Sequence, residues 1–190
     1  MKKIYREALF KLFEQELRKS WSLFKEITIP EKARIDKTEK AYGWKAKDGV
    51  TYIILLLPSL KGRDEFTCRV GWSTTENFPL LNPRHVTGSL DEILEQDDAL
   101  IPIEFVCGQN VALGWTIRDE VENNELYHKM ESGCDLTEQE MLELASLIGK
   151  KERKLTSDEA REVLTPFIND LMERLSTSVI PFFRKKGLEL

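Results

Sequence analysis

Apolar residues in this chain recur first at spacings of three and four, then at spacings of two, then at three and four again. In the opening stretch Phe10, Phe13, Leu17, Trp21 and Phe24 follow a 3.6-residue period, flanked by Leu9 and Leu12. Lys11, Glu14, Arg18, Lys19 and Lys25 take the other side. The spacing predicts an amphipathic helix over residues 1–26 with one broad buried stripe. Glu7, Lys11, Glu14 and Glu16 break up any signal-peptide apolar core, so a cytoplasmic protein is expected.

The period then drops to two. Tyr42, Trp44 and Ala46 share a face, and Asp48-Gly49 reads as a hairpin turn. In a later strand Phe66, Cys68, Val70 and Trp72 share a face opposite Thr67, Arg69 and Gly71. Strands at about 42–47, 50–58 and 65–73 are expected to pair as an antiparallel meander. Residues 52–57 of the middle strand do not alternate: all six are apolar. An antiparallel strand with one wet face alternates, so this one must be covered twice. The N-terminal helix is expected on one face, and the C-terminal helices or a partner on the other.

Downstream, residues 77–88 form a Pro/Asn-rich loop carrying His85, and Ser89-x-x-Glu92 is a capping box opening a short helix to about Gln96. Residues 100–107 and 110–119 read as two further strands. The rest reads as helix. Residues 119–130 are acidic and weakly amphipathic. Thr137-x-x-Glu140 caps a helix with Met141, Leu144, Ala145 and Ile148 along one face. Thr156-x-x-Glu159 caps the last, in which Val163, Leu164, Phe167, Ile168, Leu171 and Leu175 make a wide apolar face. Pro166 and Pro181 should bend or restart it. The expectation is a single α+β domain, a mostly antiparallel sheet with N-terminal and C-terminal helices packed against it. Its helix is placed at 1–26, its sheet region at 41–118 with a short helix near 89–96, and its helical region at 119–187. At 190 residues such a chain can bury a core without staples.

Charge alters this picture more than composition does. Residues 1–84 hold 17 Lys or Arg against 11 Asp or Glu, whereas residues 85–149 hold 2 against 15. Such a field repels nucleic acid and attracts a basic partner. The candidate partner-binding residues are Asp91, Glu92, Glu95, Asp97, Asp98, Glu104, Asp119, Glu120 and Glu122. Solvated helix faces balancing the basic N-terminal third would produce the same count. No apolar run is long enough to span a bilayer, so no membrane partner is expected.

Chemical motifs are sparse. There is no Gly-x-Gly-x-x-Gly, no Walker loop and no Gly-x-Ser-x-Gly elbow. His85 and His128 lie too far apart for a histidine metal site of standard spacing. Cys68, Cys107 and Cys134 include no close pair, and Cys68 falls in strand alternation as a small buried hydrophobe. Neither Glu65 nor Glu104 is followed two residues on by the lysine of a metal-dependent nuclease. No catalytic residue, metal or cofactor is assigned. Trp44, Trp72 and Trp115 each follow a glycine within a strand, so a ring-walled ligand groove and a plain aromatic core both fit the pattern.

A hairpin strand followed by "FTCRVGWSTTENFP" and a C-terminal helix carrying "VIPFF" resembles a bacterial family of small α+β proteins catalogued as a domain of unknown function. Some of its members are placed among toxin-immunity and mobile-element genes. The resemblance covers the hairpin and the chain ends, about half the sequence, and carries no site residue across. It implies an immunity or antitoxin-like inhibitor, and the acidic middle segment fits a module that masks a basic protein such as a toxin. The alternative is a small-molecule-binding or hydrolytic domain lined by Trp44, Trp72, Trp115 and Arg69.

Overall fold

The computed structural model describes residues 1–34, 36–47, 49–59, 64–75, 77–79, 89–109, 114–117, 124–150 and 155–188. The elements begin with α1 (Lys3–Ser20), β1 (Lys25–Ile27), β2 (Lys40–Lys45), β3 (Thr51–Pro58) and β4 (Glu65–Ser73). Next come α2 (Leu90–Leu94), β5 (Asp98–Pro102), α3 (Ile103–Val106) and β6 (Trp115–Thr116). The chain then continues through α4 (Glu125–Glu131), α5 (Glu138–Lys150), α6 (Ser157–Arg174), a π-turn (Leu175–Val179) and α7 (Ile180–Lys185). The fold is α+β. All strand pairs are antiparallel, in the order β1-β2-β3-β4-β5, with β6 also paired to β4.

The meander is present with β3 at its centre, and the two-sided apolar character of β3 has a physical cause. Tyr52, Ile54 and Leu56 point into the large core, with Phe66, Cys68, Val70 and Trp72 of β4 beside them. That core is closed by Tyr5, Leu9, Leu12, Phe13 and Leu17 of α1 and by Leu164, Ile168 and Leu171 of α6. Ile53 and Leu55 point the other way, into a smaller cluster with Ala41, Leu100, Ile29 and Ala33, and are as deeply buried. α1 and α6 therefore pack side by side on one face. The second face is covered by the β1–β2 connection and by Phe78, not by the C-terminal helices.

Other boundaries differ from the periodic reading. α1 ends at Ser20, six residues early, and the chain turns at Trp21 so that Phe24 enters the core from outside the helix. Residues 25–27 form an edge strand too short and polar to show a period. Ile103–Val106 is a helical turn instead of strand; an apolar run of this length is ambiguous between the two. α6 runs on through Pro166, whereas before Pro181 the helix widens into the π-turn and restarts as α7. Proline has no N–H for the fourth residue back, and this widening absorbs the break. Among the described residues no helix is long and apolar enough to cross a membrane.

Candidate functional site

The three strand tryptophans lie on the helix side of the sheet, and Arg69 lies on the opposite side. Trp44 stacks on Tyr52 at 6.0 Å between ring centroids, Tyr52 meets Phe183 at 5.1 Å, and Trp72 meets Phe182 at 5.5 Å. The two phenylalanines of "VIPFF" thus fill the aromatic row that the strands build. Trp72 Nε1 donates to the Gln96 carbonyl at 3.0 Å, and Lys186 Nζ donates to the Leu94 and Gln96 carbonyls at 2.6 and 2.7 Å. A cation at the C-terminal end of α2 is electrostatically favoured, and it holds α7 over Trp72.

Trp115 packs flat on Phe66, and its Nε1 donates to Asp170 Oδ2 at 2.7 Å. Arg174 Nε donates to the same oxygen at 2.9 Å, its guanidinium 5.4 Å from the Trp115 ring centroid. The glycines beside two of these rings are explained by close backbone approach. A Cβ at Gly71 would lie 1.8 Å from the Ala99 carbonyl oxygen, and one at Gly114 would lie 2.6 Å from that of Phe66. Trp72 and Trp115 are core, Trp44 packs half-buried against it, and Arg69 lies on the other side of the sheet, so the four side chains do not converge.

Along one edge of β4 the partner changes from β5, opposite residues 69–73, to β6, opposite residues 65–66. α3 is inserted there, and it buries Glu104, which is 3% exposed. Burial pushes the Glu104 carboxyl above the ordinary glutamate range, although its own backbone amide, Arg174 and Arg69 pull the other way. Burial likewise pushes the Cys68 thiol up, with Glu104 and Cys107 adding to it, and pulls the Arg69 guanidinium down. A thiol held protonated is no nucleophile. At this edge of β4 burial thus disfavours charge on all three groups. No group of three or more His, Cys, Asp or Glu among the described residues is placed to hold a metal ion.

The acidic residues separate into distinct environments. Asp91, Glu92, Glu95 and Asp97 are exposed along α2 and the turn after it. Glu92 also closes the capping box, its Oε2 accepting from Ser89 N at 3.0 Å. Asp98 is half-buried and holds the turn after β4, accepting from Ser73 Oγ at 2.7 Å and Thr74 N at 3.2 Å. Glu104 does not belong to the acidic surface, because α3 turns it into the protein. Asp119, Glu120 and Glu122 lie outside the described residues, as does His85.

A feature the charge count did not isolate is the arm formed by α4 and α5. Asn124 caps α4, its Oδ1 accepting from Leu126 N, and Thr137 and Glu140 form the reciprocal bonds that start α5. Lys129 Nζ reaches Glu140 Oε1 at 2.7 Å and ties the two helices together. With two donors from Thr137 as well, the Glu140 carboxyl is held down at about 2. No residue of α4 is buried, and among the described side chains of α5 only Leu144 is buried, in neither core cluster. Met130, Met141, Leu142 and Ile148 are exposed, Leu142 at 69%. The signal was present in the sequence as an amphipathic period; periodicity does not reveal whether the apolar face is covered.

The fold places the chain among α+β proteins with helices on an antiparallel sheet. No protein-family model, no curated protein and no solved structure matches it.

Proposed function

We propose that this chain is a non-enzymatic protein-binding module, an inhibitor of the immunity or antitoxin kind that takes a basic protein through its acidic middle segment. The observation carrying the reading is the α4–α5 arm, whose large apolar side chains stand in water while both core clusters are complete without them. Exposed apolar side chains rimmed by polar ones mark a partner surface. The acids of α2 add attraction at longer range, which acts on the rate of encounter more than on final affinity. The packing of Phe182 and Phe183 of α7 against Trp72 and Tyr52 supports reading that row as core.

The test uses the tagged chain as bait in a lysate of its own cells, with mass-spectrometric identification. A basic protein should be recovered by the wild type, less at raised salt, and lost with Met141→Asp/Leu142→Asp. Recovery of acidic partners alone, or recovery indifferent to the double substitution, overturns the reading.

A further inference from the structure

We infer that the outer face of α5 is the seat of an amphipathic helix from a basic partner, an inference that rests on the protein-binding reading above. At 100° per residue, Ile148, Met141, Ala145 and Leu142 fall in one arc of α5, with Glu138 at its N-terminal end. Glu140 and Leu144 lie to one side of that arc, and Glu140 is the residue that reaches Lys129 of α4. The side towards α4 is therefore occupied, and the apolar arc continues past it into solvent. Met141, Ala145 and Ile148 repeat at four and three residues, which is the spacing that accepts the ridges of a second helix.

Charge selects the occupant. Residues 124–150 carry Glu125, Glu131, Asp135, Glu138, Glu140 and Glu143 against Lys129 and Lys150. Glu138 falls within the arc itself, so pairing α5 with its copy in a second chain would set that carboxylate of each at a seam between two surfaces of net negative charge, which opposes association. A helix with leucine-type residues on one side and lysine or arginine along its flanks meets the same surface with complementary charge and shape. Methionines at the contact adapt to the details of the partner's side chains.

The probe is an 18-residue synthetic peptide of Leu and Lys with leucine at helical spacing, titrated against the full chain by calorimetry and circular dichroism. Two controls accompany it: the same composition in scrambled order, and the helical pattern with Glu replacing Lys. The helical Leu/Lys peptide should gain helix on binding and bind about tenfold or more tightly than the scrambled one. Leu142→Asp should remove that advantage, whereas Leu23→Asp, an exposed leucine off the arm, should leave it unchanged. Unaltered circular dichroism of both variants alone shows that they fold. Equal binding of the scrambled or the Glu peptide overturns the inference, as does an unchanged affinity in Leu142→Asp. A wild-type dimer in sedimentation that Leu142→Asp returns to monomer assigns the face to a second copy and overturns it too. If peptides fail while the cellular partner is still captured through Met141 and Leu142, the helix is wrong and the protein-binding reading stands.

Discussion

α5 and α6 begin alike and end in different environments. Each opens on a Thr-x-x-Glu box with the same bonds: the threonine amide and hydroxyl on the glutamate carboxylate, and the glutamate amide back on the threonine hydroxyl. Each then carries an apolar arc at helical period. α6 buries Ala160, Leu164, Ile168 and Leu171 between α1 and the sheet. α5 leaves Met141, Leu142 and Ile148 in water. Local sequence thus determines that a helix starts and which side is apolar. Whether that side is core or interface depends on what else in the chain reaches it. Comparison of the body with the arm is therefore a comparison between completed and uncompleted burial.

The largest effect separating the two is expected in the body. Phe183 is fully buried against Tyr52 and closes the aromatic row. Phe183→Ala removes that contact area and leaves a cavity in the core. A loss of about 3–5 kcal/mol is expected in urea unfolding. A loss below about 1 kcal/mol would mean that α7 is docked loosely, and the aromatic row would again be open to a ligand.

A smaller effect tests the buried carboxyl that α3 places at the edge of β4. The carboxyl of Glu104 titrates higher in the folded protein than in the unfolded chain, mainly because of burial. Between the two values the folded state binds more protons, so stability falls as pH rises through the folded value. Glu104→Gln should remove this slope and raise the melting temperature at pH 7 relative to wild type, with little difference near pH 4. If the variant is instead less stable at pH 7, the attraction of Arg69 and Arg174 for the ionised carboxylate outweighs desolvation.

These two residues also mark how far the sequence is legible. The clean alternation Phe66, Cys68, Val70, Trp72 and the unbroken 52–57 run were enough to place the meander and require two covered faces. The three capping boxes announced their helices because their bonds are local. The second face, by contrast, is covered by Ile29, Ala33 and Phe78, single apolar residues in loops and one short 3-10 turn with no period to betray them. Glu104 is turned inward for a related reason. A four-residue helix after Pro102 has no pattern of its own, and tertiary insertion beside β4 determines its orientation. Phe182 and Phe183 were visible as a motif, but only the sheet register shows that they meet the strand aromatics and displace the ligand reading.

The smallest expected change in stability is in the arm, and it is the sharpest check on the comparison. Leu142 is the most exposed of the large apolar residues among those described, at 69%. The free energy of burying a leucine scales with the area removed from water, and here little is removed. Leu142→Ala also keeps helix propensity, since alanine is the best helix former. The change should therefore lie within about 0.5 kcal/mol of zero, the range for surface sites without special contacts, and the melting temperature should hardly move. The same chemical deletion that would cost several kcal/mol at a buried position is then nearly silent in the isolated chain. Its effect should appear only with the partner present, as weaker binding. A measured loss above about 2 kcal/mol would show that Leu142 is covered by residues of this same chain. The arm would then belong to the body, and the interface would have to be sought along α2.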